Sequence, residues 1–317
     1  MKTAALIYNP IAGRRPVRRA RQIRHVAEIL RRGGLEVEVF PTSGPESASA
    51  LARDAARRAK DVVLVCGGDG TINEAINGLA GSHVPLGLLP GGTANILARE
   101  LGVPLDPACA ARELPSWSPR RVPLGKATWQ PQGVPANLAA PQNGTAARYF
   151  MSVAGIGYDA YVVSKLSLRR KLVWGVAGYI GEAFRQVLRY PFQTFSCRTE
   201  DGLERAASFA ALQRARNYGG WLHLTPQARF FHDRFTLCLF KTRNRARYFL
   251  YAALVLLQKH LQLGDVELVQ ACKLYCAAQL AGETIRFELD GELVGTLPAT
   301  FEIVPDALTL LVPQKTT

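Results

Sequence analysis

The first hundred residues alternate between short apolar runs and stretches with helical periodicity. Apolar runs lie at residues 3–8, 36–40, 62–67 and 85–89, and each is followed by a segment whose apolar side chains recur every three or four residues. Short runs of this kind predict strands, and the three- and four-residue spacing predicts helices. The alternation therefore predicts a doubly wound parallel sheet with helices on both faces.

The pattern changes in the second half of the chain. A strand is expected at 122–128, followed by a loop rich in Pro, Gln, Gly and Asn at 130–147. Asp159 is expected to cap a helix, and an amphipathic helix with a basic and aromatic cluster is expected at 165–190. Short apolar runs separated by turn residues then predict strands at 193–198, 207–213, 235–240, 268–277 and within 284–313. Closely spaced strands of this kind predict an antiparallel β-sandwich.

Two glycine-rich turns follow neighbouring strands of the first half. The first is Gly67-Gly68-Asp69-Gly70, and the second is Pro90-Gly91-Gly92-Thr93. Glycine has no Cβ, so a phosphate group can approach the backbone closely at these turns. Thr71 and Thr93 occupy the positions expected for helix N-caps, which would direct free N–H groups into each turn. Two adjacent turns with this character predict a phosphate site.

Polar side chains accompany these turns. Asp69 lies between glycines at the carboxyl end of a strand, where open parallel sheets bind ligands. Asn73, Glu74 and Asn95 fall in the first turns of the following helices and are expected to reach back towards the same crevice. We therefore expect the two turns to form one polar site.

A second acidic motif lies near the end of the chain, at Glu288-Leu289-Asp290-Gly291-Glu292. An Asp-Gly pair is a common hairpin signal, so a purely structural role is the simpler interpretation of this motif taken alone. Two acidic groups so close together would also differ in proton affinity, which suits general-base chemistry. Both interpretations stay open from the residues alone.

The composition has a strong basic excess. The chain has 317 residues and a formal net charge of +14, with 48% hydrophobic and 20% charged residues. These fractions are typical of globular domains and exclude a disordered chain. We expect no nucleic-acid partner, because no nucleic-acid-binding motif is apparent. Attraction to an anionic membrane explains the charge better, at about 1 kcal/mol per basic group near the lipid.

No segment predicts a signal peptide or a transmembrane helix. The apolar N-terminus is short and is broken by Asn9-Pro10, and the longest apolar segment, 248–257, is about half the length that a span needs. We therefore expect a cytoplasmic protein that contacts the inner membrane face peripherally. The sequence leaves a homodimer open.

The motifs GGDGTINEAINGL and LPGGTANILARELG, together with the late Asp-Gly-Glu, resemble the diacylglycerol kinase-like lipid kinases. This superfamily includes bacterial diacylglycerol kinases, YegS-like lipid kinases and sphingosine kinases. The resemblance implies an N-terminal α/β nucleotide-binding domain at 1–125, similar to those of NAD kinase and phosphofructokinase. It implies a C-terminal antiparallel β-sandwich for the lipid at 126–304, with 305–317 packing back on the first domain. The active site is expected in the cleft between them.

The resemblance also implies roles for individual residues. ATP and Mg²⁺ are the implied cofactors, with Asp69 contacting Mg²⁺ directly or through a water molecule. Asp290 is the favoured general base for the lipid hydroxyl, and Glu292 is the alternative. Arg14 or Arg15 is expected to contact the nucleotide. The implied nucleotide contacts are Asn9, Pro10, Gly13, Thr42, Gly67, Gly68, Asp69, Gly70, Thr71, Asn73, Glu74, Gly91, Gly92, Thr93 and Asn95.

The chain departs from some relatives at two places. Ile96 replaces an Asp of the second glycine motif, and Phe231-His232-Asp233 retains only one acid of an Asp-Asp-Gly segment. The structural magnesium site of those relatives is therefore not expected here. The expected function is an ATP-dependent lipid kinase, with diacylglycerol as the default substrate and a sphingoid or other lipid alcohol as an alternative. A catalytically impaired nucleotide- or lipid-binding regulator and a soluble-substrate kinase similar to NAD kinase are the competing hypotheses.

Overall fold

The computed structural model describes residues 1–11, 16–131, 144–165, 181–216, 218 and 222–314. The chain divides into two compact units. Unit 1 comprises Met1–Leu124 and Pro305–Thr317, and unit 2 comprises Gly125–Val304. The amphipathic cluster Arg169, Arg170, Lys171, Trp174 and Tyr179, and most of the expected loop at 130–147, lie outside the described residues.

Unit 1 contains a parallel sheet with the strands β1 (Thr3–Tyr8), β2 (Glu36–Pro41), β3 (Val62–Gly67) and β4 (Leu86–Pro90). These strands lie in the order β2-β1-β3-β4. The last strand of the chain, β16 (Ala299–Val312), adds to this sheet through its C-terminal part, where Leu310 pairs in parallel with Leu86. The helices are α1 (Pro16–Arg32), α2 (Ser47–Arg57), α3 (Asp69–Leu79), α4 (Ile96–Glu100) and α5 (Pro107–Glu113).

The two central strands of unit 1 explain the unbroken apolar runs in the sequence. Every residue of β3 and β4 is buried, because a strand covered on both faces has no polar side to present to water. α3 places Ile72, Ala75, Ile76 and Leu79 in the core, as their three- and four-residue spacing predicts.

Unit 2 is built from antiparallel strands. They are β5 (Ser118–Trp129), β6 (Ala146–Phe150), β7 (Val153–Gly157), β8 (Phe195–Thr199), β9 (Glu204–Ala207), β10 (Phe209–Gln213), β11 (Phe235–Phe240), β12 (Val266–Ala271), β13 (Lys273–Ala278), β14 (Arg286–Leu289) and β15 (Glu292–Thr296). Six of these strands form one sheet in the order β12-β11-β10-β7-β14-β15. A second layer contains β13 paired with β8 and with the N-terminal part of β16, together with β9, β5 and β6.

Two apolar clusters hold unit 2 together. The first combines buried side chains from both strand layers, including Phe195, Leu237, Phe287 and Phe301, and forms the core of the sandwich. The second lies on the other face of the six-stranded sheet. It is rich in aromatic rings and is covered by α6 (Tyr158–Lys165), by helical residues 181–187 and by α7 (Arg245–Leu256).

The predicted fold class is confirmed: a parallel α/β domain is followed by an antiparallel β-sandwich domain. Some elements were predicted wrongly. The strand expected at 268–277 is two strands, β12 and β13, which are separated at Cys272. The helix expected after the second glycine turn is short and contains only Ile96–Glu100, and the apolar segment 248–257 belongs largely to a helix that the spacing did not indicate. Within the described part of the chain, no helix has both the length and the apolar composition needed to cross a membrane.

Candidate active site

The predicted nucleotide residues of unit 1 collect at the carboxyl ends of its parallel strands. Asn9 follows β1, Thr42 follows β2, and the two glycine turns follow β3 and β4, which are neighbours in the sheet. The backbone pairing continues past the strand ends, since Thr42 N–H donates to Tyr8 O at 2.9 Å. This edge is where open α/β sheets bind their ligands. Gly13, Arg14 and Arg15 lie outside the described residues.

The two glycine turns touch each other. A Cβ placed on Gly92 would lie 2.5 Å from the Cα of Gly68, and Gly91 N–H donates to Gly67 O at 2.8 Å. A Cβ on Gly67 would lie 2.7 Å from the Cβ of Thr71, so this position also depends on the absence of a side chain. The turns are therefore one continuous backbone surface, of the type that admits a phosphate group between N–H donors.

The expected threonine caps are wrong. α3 begins at Asp69 with Gly68 as its N-cap, and α4 begins at Ile96 with Asn95 as its N-cap. Thr71 lies inside the first turn of α3, where its hydroxyl accepts from Asn9 Nδ2 at 3.4 Å. Thr93 is exposed in the loop before α4. Both helices begin at positions different from those that the threonines suggested. Gly68 has an ordinary extended backbone, whereas Asn95 has a left-handed one with φ of 48°, which asparagine tolerates better than most residues.

Several predicted polar residues hold the turns in place. The Asn95 side chain forms two hydrogen bonds with the backbone of Gly92: its Oδ1 accepts from Gly92 N–H at 2.9 Å, and its Nδ2 donates to Gly92 O at 3.1 Å. Asp69 Oδ1 accepts from the N–H of Ile96 at 2.8 Å, which links the first turn to the helix after the second. Asn73 is buried, and its backbone and side-chain oxygens both accept from Asn77 Nδ2.

Glu74 contacts a helix start. Its Oε2 accepts from the backbone N–H of Ala48 at 3.1 Å, near the beginning of α2. A carboxylate at a helix N-terminus is favoured by the helix dipole. This hydrogen bond gives Glu74 a role in packing α2 against α3, in addition to the predicted nucleotide role.

Arg19 is a cation at this site that sequence reasoning missed. It is 5% exposed, and its Nη2 donates to Cys66 O at 2.7 Å. A Cβ on Gly91 would overlap its guanidinium, and its Nε has no hydrogen-bond partner among the described residues. The signal was available, because Arg19 is four residues before the buried Ile23 and therefore lies on the apolar face of α1.

In unit 2, Asp290 and Gly291 form the two-residue turn between β14 and β15. Their φ angles of 49° and 82° are both positive, which is the requirement of a type I′ hairpin turn. The Asp290 carboxylate accepts three backbone hydrogen bonds, of 2.7, 2.8 and 3.0 Å, from the N–H groups of Met151, Ser152 and Val153. These donors fix the plane of the carboxylate and stabilise its charged form. The structural interpretation of the Asp-Gly pair therefore holds, and it leaves the predicted catalytic role untested.

Glu292, the alternative base, is engaged in an ion pair at the surface of unit 2. Its Oε2 pairs with Arg148 Nη2 at 2.6 Å, and its side chain is partly exposed.

Arg214 is a buried cation near the Asp290 turn. It is fully buried and donates to the carbonyl oxygens of Met151 and Phe230. Burial lowers the pKa of Arg214 to about 10, and the negative charges of Asp290 and Asp233 oppose this shift. Sequence reasoning missed Arg214, because nothing in its local pattern indicates burial.

Asp159 is not the helix cap that the sequence suggested. It is the second residue of α6, is 3% exposed, and lies beside the equally buried carboxyl group of Glu288. Burial, followed by the negative charge of Asp159, raises the pKa of Glu288 well above its ordinary value. Two buried acids in contact therefore lie directly behind the Asp290 turn.

An apolar cavity of about 120 Å³ opens on the helical side of the six-stranded sheet. Aromatic and aliphatic side chains from α6, α7 and residues 181–187 line most of it, and Asp159 is the only charged residue among its described lining residues. Its rings include Tyr158, Phe209, Tyr248 and Tyr251. Such a lining suits a hydrocarbon chain.

The donor set for a metal ion is sparse. No group of three or more His, Cys, Asp or Glu side chains among the described residues is arranged to hold a metal ion. Mg²⁺ commonly binds through one or two carboxylates and substrate phosphates, with water completing its shell. Asp69 beside the glycine turns fits that mode, and the glycine surface fits a polyphosphate. The backbone oxygen of Asp233 accepts a hydrogen bond from Cys272 Sγ, and Asp233 belongs to no cluster of metal-ligating side chains among the described residues.

A parallel α/β domain with paired glycine turns, followed by a β-sandwich with an apolar cavity, is the architecture of a two-domain kinase. Residues 3–127 match the model of the diacylglycerol kinase catalytic domain, and residues 152–312 match that of the YegS C-terminal NAD kinase beta sandwich-like domain. The chain therefore belongs to the diacylglycerol kinase and YegS-like lipid kinase family. The predicted family and the predicted enzyme class, a kinase, are confirmed.

Individual relatives are similar over nearly the full chain. A diacylglycerol kinase from Bacillus subtilis (strain 168) is 26% identical over 322 residues, which covers 99% of this chain and 98% of the relative. One from Mycobacterium tuberculosis is 26% identical over 294 residues, covering 91% and 88% respectively. A crystal structure of a putative diacylglycerol kinase from Bacillus anthracis str. Sterne superimposes with a TM-score of 0.78 at 21% identity, over 100% of this chain and 97% of that one. The structural likeness establishes the fold.

Proposed function

We propose that this protein transfers the γ-phosphate of ATP to a hydroxyl group of a membrane lipid, with diacylglycerol as the default acceptor. The observation that carries the proposal is the apolar cavity of unit 2. Asp159, the one acid among its described lining residues, lies beside Glu288, which is bonded to the turn of Asp290 and Gly291. An apolar chain in this cavity would leave its polar end near the turn that carries Asp290, the proposed proton acceptor. The names of the curated relatives favour diacylglycerol over other lipid alcohols.

The nucleotide is proposed to bind at the glycine turns of unit 1. The backbone at Gly67–Gly70 and Gly91–Thr93 would surround the phosphates, supported by the positive end of the α3 dipole. The N–H groups of Gly91 and Gly92 are engaged by Gly67 O and Asn95 Oδ1, so they fix the shape of this surface and leave the phosphate bonds to the other N–H groups. Asp69 would contact Mg²⁺, which supplies charge stabilisation to the transferring phosphoryl group when it is bound. Asn9, Pro10, Thr42, Asn73, Glu74 and Asn95 remain proposed contacts, as does Gly13.

The proton acceptor is proposed to be Asp290. Its carboxylate is held by three N–H donors in a fixed orientation, and a preorganised group of this kind loses little entropy when the acceptor hydroxyl arrives. Glu292 remains the alternative, although its ion pair with Arg148 engages one of its oxygens. Phosphoryl transfer needs positioning and charge stabilisation more than a strong base, so a weakly basic carboxylate is sufficient.

We further propose that the protein acts peripherally at the cytoplasmic, anionic face of a membrane. α7 supports this, because its exposed residues include Phe249, Leu250 and Leu256, and Leu257 follows them. Phe184 stacks on Phe249 across the same surface. Residues 243–259 contain three arginines and a lysine and no acidic residue. Arg247 is paired with Asp265, and the other three basic residues give this segment a positive charge beside the apolar surface. Anionic lipid attracts such a surface.

The test is transfer of radiolabelled phosphate from ATP to a panel of lipids in anionic vesicles with Mg²⁺. The panel contains diacylglycerol, a sphingoid base and a monoacylglycerol, and NAD is the soluble control. The proposal is supported if wild type forms labelled phosphorylated diacylglycerol and Asp290→Asn forms none, provided that the variant still binds ATP and keeps its folded circular dichroism spectrum. Glu292→Gln separates the two candidate bases. ATP binding without any labelled lipid supports the regulator hypothesis, and labelled NAD supports the soluble-substrate kinase.

A further inference from the structure

Two buried carboxyl groups meet at one glycine of the sandwich sheet. Gly155 of β7 is paired with Glu288 of β14 in the antiparallel register. A Cβ on Gly155 would overlap Asp159 Oδ2 and would lie 2.7 Å from Glu288 Oε1. Both acids therefore occupy the space that a side chain at this position would fill. Glu288 is 1% exposed and Asp159 is 3% exposed, so bulk water hydrates neither of them.

The hydrogen bonding of Glu288 is incomplete on one side. Its Oε2 accepts from the backbone N–H of Gly291 at 2.5 Å. Its Oε1, which faces Asp159, receives no hydrogen bond from the N–H and O–H donors of the described residues. Two carboxylate oxygens are both acceptors, so they can be joined only when a proton lies between them. A buried acceptor without a donor is costly, and one shared proton removes that cost.

The charges around the pair favour retention of this proton. Asp290 adds a third carboxylate two residues from Glu288, and its negative charge also raises the pKa of Glu288. The cation Arg214 interacts with Asp290, and Arg148 pairs with Glu292 on β15. Tyr158 lies beside Asp159 and is kept neutral, since burial raises its pKa well above the ordinary range. Three ionised carboxylates would therefore be crowded together if the pair lost its proton.

The pair is connected to the Asp290 turn on one side and to the apolar cavity on the other. The N–H that donates to Glu288 belongs to Gly291, the second residue of the turn. Asp290 N–H donates to Val153 O at 2.9 Å, and the Asp290 carboxylate accepts from Val153 N–H. Asp290 is therefore bonded to β7 through both its backbone and its side chain. Asp159 forms part of the cavity wall. A change in the charge of the pair therefore acts directly on the turn.

We propose that Asp159 and Glu288 share a single proton and act as a positioning pair, which holds the Asp290 turn in place and limits the negative charge behind it. This inference rests on the proposed function for the role of Asp290 in catalysis. When the pair is ionised at alkaline pH, repulsion between Asp159, Glu288 and Asp290 loosens the turn and lowers kcat. The pair itself exchanges no proton with substrate, so neither residue is a catalytic residue.

The sign of the pH effect on stability follows from the raised pKa of Glu288. Between the ordinary value near 4.5 and the raised folded value, the folded protein holds a proton that the unfolded chain has released. The contribution of Glu288 to the free energy of unfolding is therefore largest below its ordinary pKa, and it decreases as the pH rises through that interval. For one proton, the unfolding equilibrium constant increases about tenfold per pH unit.

The experiment uses the full chain and compares wild type with Glu288→Gln, Asp159→Asn and the exposed control Glu204→Gln. Glutamine at 288 keeps an acceptor for Gly291 and gives Asp159 a permanent donor. Urea unfolding from pH 5 to 9 should show a pH-dependent free energy of unfolding that corresponds to one proton in wild type and in the control. This dependence should be absent in Glu288→Gln and reduced in Asp159→Asn, where burial still raises the pKa of Glu288. Equal pH slopes in all four proteins would overturn the shared proton.

A second measurement tests positioning. Hydrogen exchange at the amides of Met151, Ser152 and Val153, corrected for intrinsic rates, should accelerate at least tenfold at pH 9 in wild type and stay slow in Glu288→Gln. Protection that is identical in both proteins would overturn the positioning role. In the lipid assay, kcat should fall at alkaline pH in wild type and persist in Glu288→Gln, whereas KM for ATP stays the same. If wild type phosphorylates no lipid, the proposed function fails and the two structural measurements still decide on the pair.

Discussion

The carboxylate of Asp69 accepts a 2.8 Å hydrogen bond from the backbone N–H of Ile96, across the two glycine turns. Asp69 begins α3 and Ile96 begins α4, so one side chain joins the starts of two helices. Ile96 occupies the position at which some relatives have an Asp in the second glycine motif. In the structure, its backbone contributes through the N–H group, which is independent of the side chain.

Asp69→Asn and Asp69→Ala should therefore differ. The asparagine Oδ1 still accepts from Ile96 N–H, so we expect stability to change by less than about 1 kcal/mol, whereas Mg²⁺-dependent transfer falls at least a hundredfold. Alanine leaves that N–H without its acceptor and should cost about 1–3 kcal/mol in addition. Chemical unfolding and a Mg²⁺ titration of activity measure the two effects. Full activity in Asp69→Asn would contradict a metal role.

Gly92→Ala should separate the two turns. Its Cβ would lie 2.5 Å from the Cα of Gly68, which is backbone and cannot rotate away. We expect ATP affinity to fall at least tenfold, measured by calorimetry, with a smaller loss of stability. Gly181→Ala is the matched control, because a Cβ there meets nothing within 4 Å. Unchanged ATP affinity in Gly92→Ala would place the nucleotide elsewhere.

Arg19→Met should weaken both the fold and the nucleotide site. The buried guanidinium donates to Cys66 O at the end of β3 and packs against Gly91. Removing a charged donor from a buried acceptor costs about 1–3 kcal/mol. Arg21→Met, on the exposed side of α1, should stay within about 0.5 kcal/mol of wild type. Thermal unfolding with and without ATP distinguishes the two variants, and equal behaviour would show that Arg19 is dispensable.

Leu250→Ser combined with Leu257→Ser should reduce binding to anionic vesicles. The two leucines are 39% and 65% exposed, so their replacement should leave unfolding within about 0.5 kcal/mol per site. Insertion of two leucines into the interfacial region contributes on the order of 2 kcal/mol, which corresponds to a more than tenfold loss in vesicle affinity. Leu280→Ser, 57% exposed on a different turn of unit 2, is the control. If the control weakens cosedimentation equally, α7 is not the membrane contact.

The sequence predicted the parts of the fold that depend on local periodicity. β1 and β11 have the predicted bounds, and the four buried apolar residues of α3 follow the predicted spacing. It predicted poorly where position depends on distant contacts. The local sequence makes Thr93 a plausible helix N-cap, yet the N-cap is Asn95, whose side-chain amide also forms two hydrogen bonds with the backbone of Gly92.

The candidate site shows the same division. The glycine turns and the Asp-Gly hairpin could be found because glycine and Asp-Gly have strong local conformational preferences. The spacing of α1 could have placed Arg19 on the apolar face, but its contacts with Cys66 and Gly91, the burial of Arg214 and the partnership of Asp159 with Glu288 could not be found in that way. Their importance comes from burial next to residues that are far away in sequence, and a local window contains no record of that proximity.

The contact between Gly68 and Gly92 has a consequence for how this chain can vary. Recognition of a phosphate at this surface would depend on main-chain geometry, which neighbouring strands of the sheet hold at a constant separation. Many exposed side chains nearby could be exchanged without altering it. An insertion of one residue in either connection would move one turn past the other, and so would change the surface more than most substitutions in the unit.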